Sequence, residues 1–309
     1  MKATVLHEYG GPEKLVYDEG FPEPQVSGST VLVRAAASSV NPIDWKIRSG
    51  ARQKDFPLTF PAVLGRDVSG VVQAVGTEVR TFKVGDRVLG ITDRAYATLV
   101  AVPESDLAHL PDGVDLVDAA AIPLVALTGD QLIRRTMGLV QGQVVLVTGA
   151  LGSVGRAAVH SAKKLGAQVI AGVRGSQLEE ARSLGATGVL AIDDDAAIAA
   201  FGPVDAIADT VGGETARKLI ARVKTGGTFG YASVIPEGTA EAFPAVTVGR
   251  VFAKPDPSKV REFADDVRDG KFVLPIGARL ALAEAGEGQA RAQKGGIGKI
   301  LLLMPDFAV

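Results

Sequence analysis

Residues 144–155 read Val-Val-Leu-Val-Thr-Gly-Ala-Leu-Gly-Ser-Val-Gly, a continuous apolar run that passes into a glycine-rich turn. After the turn, apolar residues recur at helical spacing until Gly166, so the stretch predicts a strand, a tight turn and a helix. A glycine pattern in this context is typical of dinucleotide binding, and Ala150, Gly152 and Gly155 stand at its three glycine positions. A bare backbone at Gly152 lets a pyrophosphate approach the helix N-terminus, where unpaired N–H groups favour an anion. A tight structural turn without a ligand is the alternative.

The chain around this turn alternates between helix-like and strand-like segments. Helices are expected over 117–135, where Pro123 interrupts the pattern early, and over 177–184. Strand-like runs lie at 168–173, 189–192, 204–208 and 227–231. Strands that alternate with helices indicate parallel pairing through right-handed crossovers, with helices on both faces of the sheet. We therefore predict an α/β Rossmann domain, a doubly wound parallel sheet, over residues 119–252.

The N-terminal third has a different character. Short β-branched runs at 30–35, 67–75 and 87–90 are bounded by Gly, Pro and Asp, without intervening amphipathic helices. This pattern predicts an antiparallel, barrel-like unit over residues 1–118. The chain ends in an apolar strand at 299–303, which we expect to return to that unit, so that residues 253–309 complete the same domain.

Composition limits the possible functions. The 309 residues carry 33 Lys and Arg against 35 Asp and Glu, and no long basic stretch supports a nucleic-acid or membrane partner. Cysteine is absent, which removes disulfides, iron–sulfur clusters and thiolate zinc sites. The three histidines stand far apart, so we expect no metal site. Neither a signal-peptide pattern nor a membrane-spanning apolar run is present, and a cytoplasmic location is expected.

The end of the second strand of the predicted Rossmann domain selects the cofactor. NAD sites place Asp or Glu there, where the carboxylate accepts hydrogen bonds from the adenosine ribose. Here residues 171–176 read Ala-Gly-Val-Arg-Gly-Ser, and the first carboxylate that follows is Glu179. Arg174 and Ser176 offer donors that suit a 2′-phosphate, so NADPH is predicted in preference to NADH. The alternative for Arg174 is a solvated surface arginine.

One family with a similar glycine turn is excluded by the sequence. Short-chain dehydrogenases carry that turn close to the N-terminus and rely on a Tyr-x-x-x-Lys pair. None of the four tyrosines of this chain has a lysine four residues later.

Several further motifs occur in order along the chain. They are His-Glu-Tyr-Gly-Gly-Pro-Glu at 7–13, Asn-Pro-Ile-Asp-Trp-Lys-Ile-Arg-Ser-Gly at 41–50, Gly-Arg-Asp-Val-Ser-Gly-Val-Val at 65–72, Val-Gly-Asp-Arg-Val at 84–88 and Pro-Leu-Val-Ala-Leu-Thr at 123–128. With the glycine turn, they resemble the zinc-independent medium-chain dehydrogenase/reductase superfamily, in its quinone oxidoreductase and alkenal reductase branch. The resemblance implies a GroES-like β-rich catalytic domain, a Rossmann domain inserted into it, an active cleft between the two and a homodimer.

The resemblance also implies a reaction. NADPH would transfer hydride, without a metal, to a small-molecule electrophile: a quinone or the C=C bond of an α,β-unsaturated carbonyl. Asn41 corresponds to the asparagine that faces nicotinamide and substrate, and Lys46 fits the alkenal reductase pattern, so both are candidate catalytic residues. The alternatives are a turn-forming role for Asn41 before Pro42 and a salt-bridged surface position for Lys46. Asp44 is expected to be a structural hydrogen-bond acceptor.

The resemblance further assigns a set of cofactor-binding residues: Asn41, Thr128, Gly149, Ala150, Leu151, Gly152, Ser153, Val154, Arg174, Ser176, Val211, Tyr231, Ser233 and, on the phosphate side, Lys299. One position departs from the family, because Ile192 stands where quinone reductases often have a tyrosine that touches the adenosine phosphate. Asp67, in the segment where zinc-bearing relatives often read Gly-His-Glu, is expected to cap a turn.

Two other functions remain open at this stage. A non-catalytic NADPH-binding protein, either a redox sensor or a crystallin-like structural protein, would carry the same glycine turn. An enoyl reductase that acts on carrier-bound thioesters is the third possibility, although carrier docking normally uses a basic patch, and none is clear here.

Overall fold

The computed structural model describes residues 1–305 and 307, and the chain divides into two compact units. Unit 1 consists of Met1–Leu124 and Pro255–Val309, and unit 2 consists of Val125–Lys254. These boundaries lie a few residues beyond 118 and 252, where the sequence changes character. The backbone N–H of Leu124 donates to Asp67 Oδ1 at 2.7 Å, and this bond holds the chain in unit 1 up to that residue.

The first part of unit 1 is rich in strands. β-Branched residues such as Val31 and Val33 are fully buried in its longest strand, which suits their preference for a pleated surface. The elements are β1 (Ala3–Leu6), β2 (Leu15–Asp18), β3 (Thr30–Ser39), helix α1 (Pro42–Arg48), β4 (Ala62–Val63), β5 (Asp67–Val75), β6 (Arg87–Ile91), β7 (Leu99–Pro103) and β8 (Leu107–His109). Helix α1 was not predicted. It begins at Pro42 because proline, which lacks an N–H, is favoured at the first helical position.

Unit 2 is an alternation of strands and helices. Its elements are α2 (Pro123–Gln131), whose first two residues still belong to unit 1, β9 (Val144–Thr148), α3 (Ser153–Lys164), β10 (Gln168–Val173), α4 (Leu178–Arg182), β11 (Gly188–Ala191), α5 (Asp195–Ala200), β12 (Val204–Asp209), α6 (Gly213–Ile220), β13 (Val223–Tyr231) and β14 (Thr247–Arg250). The strands form one parallel sheet in the order β11-β10-β9-β12-β13-β14. This is the strand order of a Rossmann fold, so the predicted doubly wound sheet is confirmed.

Some predicted bounds in and around unit 2 were wrong. Pro123 does not interrupt a helix but begins α2, after a 3-10 helix at Asp118–Ala121 and before a π-helical turn at Leu132–Thr136. The sheet also has a sixth strand that was not predicted, because β14 pairs with β13. The other short 3-10 helices lie at Pro12–Lys14, Glu104–Asp106, Gly175–Gln177 and Leu282–Glu284.

The chain returns to unit 1 through α7 (Pro257–Arg268), β15 (Ile276–Ala281), α8 (Ala285–Lys294) and β16 (Lys299–Leu303). One sheet of unit 1 has the order β15-β16-β3-β5-β6-β8, with β7 also paired to β3, and a smaller one has the order β2-β1-β4. β16 pairs antiparallel with β3, with Leu302 opposite Ser38. The strands within residues 1–118 pair antiparallel, as predicted. β15, which was not predicted, pairs parallel with β16.

The parallel sheet of unit 2 is buried on both faces. Val145 and Val147 pack with residues of α3, whereas Leu146 packs with Ile207 and Phe229 on the other face. This explains why β9 is a continuous apolar run rather than an alternating one. In the part of the chain that the structure describes, no helix combines the length and the apolar character that crossing a membrane requires.

Candidate active site

The glycine turn lies between β9 and α3 in unit 2. Gly149 adopts a left-handed conformation with φ of +60°, and its carbonyl accepts the N–H of Gly152 at 2.8 Å. A Cβ atom on Gly155 would lie 2.1 Å from that same carbonyl oxygen, so only glycine allows the helix to start this close to the turn. Gly155 therefore packs directly against the backbone of the turn that follows β9.

The remaining residues of the turn divide into buried and outward groups. Ala150 is fully buried and its N–H donates to the carbonyl of Gly172 on β10, so that N–H is already used. Leu151 is half-buried in the core of unit 2. Gly152 is exposed, and Ser153 and Val154 open α3, where the first N–H groups have no acceptor within the helix. An exposed glycine before a twelve-residue helix fits a diphosphate group.

A hydrogen-bonded pair joins the carboxyl ends of β9 and β12. Thr148 Oγ1 donates to Asp209 Oδ1 at 2.7 Å, and Asp209 Oδ2 accepts the N–H of Gly212 at 2.9 Å. Asp209 is fully buried, and desolvation raises the pKa of its carboxyl above the ordinary value. These bonds hold the loop that carries Val211, whose side chain is 44% exposed. Val211 was predicted from the resemblance, whereas the Asp209–Thr148 pair that supports it was not predicted.

The other residues predicted to bind the cofactor on this unit lie at two further places. Tyr231 ends β13 directly opposite Asp209 in the register of the sheet, and Ser233 follows two residues later; both are half-buried. Thr128 is a half-buried residue of α2. Tyr231, Ser233 and Val211 therefore share the carboxyl edge of the parallel sheet with the glycine turn, as the resemblance implies.

The loop after β10 carries Arg174 and Ser176, and both are exposed. The Arg174 guanidinium makes no hydrogen bond or ion pair with any residue in the described ranges. The backbone N–H of Gly175, between these two residues, donates to Asp193 Oδ1 at 2.7 Å. Asp193 follows β11, and the sequence analysis did not find it. Ile192 is buried in the core of unit 2, and its N–H donates to the carbonyl of Val173.

In unit 1, Asn41 lies at the start of α1 and is only 2% exposed. Its Nδ2 donates to Asp67 Oδ2 at 2.8 Å, and its Oδ1 accepts a hydrogen bond from Lys299 Nζ at 2.5 Å. Its backbone N–H donates to Asp44 Oδ2 at 2.8 Å. Both ends of the amide are thus bound by charged side chains of the same unit.

Asp67 and Lys299 form the centre of this cluster. Asp67 is fully buried at the start of β5 and also accepts the Ser39 hydroxyl at 2.5 Å, so the expectation that it caps a turn was wrong. Lys299 is 3% exposed, with Nζ 3.1 Å from the carbonyl oxygen of Val40 and 3.6 Å from Asp67 Oδ2. Burial lowers the pKa of Lys299, and the Asp67 carboxylate opposes that change. With its ammonium enclosed in unit 1, Lys299 does not have the surroundings that the predicted phosphate contact requires.

Asp44 and Tyr96 form a second buried pair. Tyr96 donates its hydroxyl to Asp44 Oδ2 at 2.8 Å, and both side chains are almost fully buried. Asp44 Oδ1 has no hydrogen-bond partner within residues 1–305 and 307. Desolvation raises the pKa of the Asp44 carboxyl to about 7. Its acceptance of the Asn41 N–H agrees with the expected structural role, but the sequence analysis missed Tyr96.

Lys46 lies on a different side of α1 from this cluster. Residues two positions apart on a helix do not face each other, so Lys46 projects away from the direction of Asp44. Its side chain is half-buried. Trp45 is half-buried against the core of unit 1. The structure thus brings Asn41 and Lys299 together, whereas Lys46 does not lie on the side of α1 that carries Asp44.

The described ranges contain no group of three or more His, Asp or Glu side chains arranged to hold a metal ion. Arg66, in the segment where zinc-bearing relatives often have histidine, instead donates to Asp93 at 2.8 Å.

Comparisons with known proteins match both units. The family described as "Alcohol dehydrogenase GroES-like domain" matches residues 27–112, and the one described as "Zinc-binding dehydrogenase" matches residues 153–254. A quinone oxidoreductase of Pseudomonas aeruginosa is 42% identical over 184 residues, which are 59% of this chain and 54% of that protein. A chloroplastic NADPH-dependent alkenal/one oxidoreductase of Arabidopsis thaliana is 36% identical over 206 residues, which cover 62% of this chain and 52% of that protein. The chain therefore spans little more than half the length of these two relatives.

A solved quinone oxidoreductase structure from Pseudomonas syringae pv. tomato DC3000 aligns with 98% of this chain and 99% of its own, with a TM-score of 0.84 and 30% identity. A GroES-like unit joined to a Rossmann unit with an exposed glycine turn defines a dinucleotide-binding protein of the dehydrogenase type. The chain belongs to the medium-chain dehydrogenase/reductase superfamily, in its quinone oxidoreductase and alkenal reductase branch.

Proposed function

We propose that this protein is an NADPH-dependent reductase that transfers hydride, without a metal, to a quinone or to the C=C bond of an α,β-unsaturated carbonyl. The proposal rests on one edge of the parallel sheet in unit 2. There, Gly152 is exposed at the start of α3, and Arg174 and Ser176 are exposed after β10. Helix N–H groups suit a diphosphate, and a guanidinium with a neighbouring hydroxyl suits a 2′-phosphate. The name of the Arabidopsis relative supports the same cofactor and one of the two substrate classes.

The residues of unit 2 fit a bound NADPH, and the reduced nicotinamide supplies the hydride when it is bound. The start of α3 binds the diphosphate, and Arg174 binds the 2′-phosphate. Val211 and Val234 are 44% and 58% exposed after β12 and β13, and they provide apolar surface that excludes water. The Asp209–Thr148 hydrogen bond orients the loop of Val211.

The polar groups proposed for the acceptor are Lys46 and Asn41, which the resemblance assigns to this role. Each reduction adds one hydride and one proton, and negative charge develops on the carbonyl oxygen of the acceptor before the proton arrives. The Lys46 ammonium is the proposed donor to that oxygen. Asp44, whose pKa is raised to about 7, is almost fully buried and accepts the backbone N–H of Asn41, so we assign it a positioning role rather than a contact with the acceptor. Lys299 and Asp67 orient the amide of Asn41.

The metal-free character of the proposed reaction rests on the donor set of the chain. A catalytic zinc in this superfamily is held by Cys and His, and the chain contains no cysteine. Arg66 adds a cation that pairs with Asp93, and a cation at this position is unsuited to metal binding.

The test is steady-state NADPH oxidation with 1,4-naphthoquinone, crotonaldehyde and methyl vinyl ketone, against a control without acceptor. We expect turnover with at least one acceptor and no oxidation in the control. NADPH binding without turnover of any acceptor would contradict the proposal and would favour a non-catalytic NADPH-binding protein.

We also propose that two copies of the chain pair through unit 2. β14 is the terminal strand of its sheet, and Phe252, two residues after it, is 52% exposed. An unpaired strand edge is a template for a second strand. Light scattering coupled to gel filtration should give a dimer for the intact protein, and a monomer at working concentration would contradict this arrangement.

A further inference from the structure

The loop that follows β10 contains a carboxylate that comes from a different strand. β10 and β11 are parallel neighbours with Val173 opposite Ala191, so their carboxyl ends lie at the same edge of the sheet. Asp193, two residues after β11, uses Oδ1 to accept the N–H of Gly175 at 2.7 Å. The carboxylate is therefore fixed beside the backbone that separates Arg174 from Ser176.

The charge of this carboxylate is not compensated by a cation. Asp193 is exposed, and it forms no ion pair with Arg174 or with any other cation in residues 1–305 and 307. Its neighbour Asp195 differs, because both of its carboxylate oxygens accept hydrogen bonds from Lys218. Asp193 thus places a negative charge against the backbone between Arg174 and Ser176, the two residues proposed to bind the 2′-phosphate.

A carboxylate at this place affects the two nicotinamide nucleotides in opposite directions. NAD sites use a carboxylate after the second strand to accept a hydrogen bond from the ribose 2′-hydroxyl, and here a carboxylate reaches the same loop from the third strand. A 2′-phosphate is a dianion, and in this loop it would lie near the Asp193 carboxylate. The two negative charges would repel each other, which weakens the binding of NADPH. The N–H of Gly175, which could donate to a phosphate, is bonded to Asp193 instead.

We propose that Asp193 is a specificity-determining residue of the nucleotide site: it favours NADH through the ribose hydroxyl and offsets part of the preference for NADPH that Arg174 provides. This inference rests on the proposed function, because it assumes that the nucleotide binds in unit 2. It predicts that the protein prefers NADPH over NADH only moderately, rather than using NADPH strictly.

The variant that tests the inference is Asp193→Asn. An asparagine retains an oxygen that can accept the Gly175 N–H, so the loop is preserved while the charge is removed. We expect the ratio of the NADH and NADPH dissociation constants, measured by fluorescence titration, to rise by about fivefold in favour of NADPH. Titrations with 2′,5′-ADP and 5′-AMP should show the same change, which assigns it to the adenosine end. The matched control is Asp195→Asn, which removes a nearby exposed carboxylate and should leave the ratio unchanged.

The outcomes separate the two proposals. If the wild-type protein binds both nucleotides and Asp193→Asn leaves their ratio within about twofold, the role of Asp193 is overturned while the proposed function stands. If the wild-type protein binds neither nucleotide, the proposed function fails, and this inference fails with it. Should Asp193→Asn unfold, Asp193→Ser, which also removes the charge and keeps an oxygen, must show the same shift in preference; an unchanged ratio in that variant would overturn the inference.

Discussion

Lys299 and Asn41 lie 258 residues apart in the chain, and Lys299 Nζ donates a hydrogen bond to Asn41 Oδ1 at 2.5 Å. The other end of the amide donates to Asp67 Oδ2 at 2.8 Å. An ammonium only donates and an ionised carboxylate only accepts, so these partners determine which end of the amide is the oxygen. Lys299 of β16 and Asp67 of β5 therefore fix the orientation of the Asn41 side chain, a proposed active-site residue.

Removing the ammonium from this cluster should destabilise unit 1. In Lys299→Met, the Asp67 carboxylate loses the cation 3.6 Å away, and Asn41 Oδ1 loses its donor. Breaking a buried ion pair from one side costs about 3 kcal/mol of unfolding free energy. Urea denaturation measures the change, with the exposed Lys294→Met as the control. A loss below about 1 kcal/mol, the value of a surface pair, would show that the cluster does not behave as a buried ion pair.

The raised pKa of Asp44 makes stability depend on pH. The ordinary pKa of this carboxyl is 3.8 and its value in the fold is about 7. Between these values the folded protein retains a proton that the unfolded chain has lost, so the free energy of unfolding decreases as pH rises from about 4 to 7 and then becomes level. The stabilisation from the neutral carboxyl is thus present in acid and is lost as pH rises through the folded pKa.

Asp44→Asn should remove that dependence. The neighbours Tyr96, Asp67 and Lys299 are unchanged in this variant, so only the titration of Asp44 is lost. As pH rises from 5 to 8, the unfolding free energy of the variant should therefore increase by about 2–4 kcal/mol relative to that of wild type. Urea denaturation at the two pH values measures the difference, and Asp112→Asn, at an exposed carboxyl, is the control. If the difference in unfolding free energy between wild type and Asp44→Asn is the same at both pH values, the raised pKa of Asp44 is contradicted.

The glycine turn should not tolerate a side chain at Gly155. In Gly155→Ala, the new Cβ would lie 2.1 Å from the carbonyl oxygen of Gly149, and a backbone atom has little room to move. We expect a loss of about 2 kcal/mol in stability and a loss of NADPH binding. Gly202→Ala is the matched control, since no heavy atom lies within 4 Å of the added Cβ. If Gly155→Ala has the same unfolding free energy as wild type and binds NADPH equally well, the close contact between turn and helix does not exist.

Arg174 should contribute to NADPH binding but not to NADH binding. Arg174→Gln removes the guanidinium proposed to meet the 2′-phosphate, and the NADPH dissociation constant should rise by about tenfold, while that of NADH changes little. Fluorescence titration measures both constants. Arg182→Gln, at an exposed arginine of α4, is the control and should have no effect. An equal loss for both nucleotides would mean that Arg174 supports the loop rather than the phosphate.

Local patterns were enough to predict the Rossmann unit. An apolar run, a glycine turn and a helical repeat lie within one stretch of chain, and each of these signals has a local physical cause. In unit 1, β15 was missed because its parallel pairing with β16 depends on packing that no local pattern reports. Helix α1 was missed because Asn-Pro is compatible with a turn as well as with a helix start.

The cofactor loop and the buried clusters show the same limit. Arg174 could be found because its place after a predicted strand has a known meaning. Asp193 could not, because its contact with Gly175 depends on the register between β10 and β11. Tyr96 and Lys299 join the cluster around Asn41 from distant strands and loops, and only the folded chain reveals that their partners are buried carboxyl and amide groups.

Isothermal titration calorimetry of the intact protein with NADPH tests the central claim most directly. We predict saturable binding heat with one NADPH bound per chain. The same titration of Arg174→Gln should show clearly weaker NADPH binding. The absence of any heat with either NADPH or NADP⁺, from a sample shown to be folded, would contradict the account.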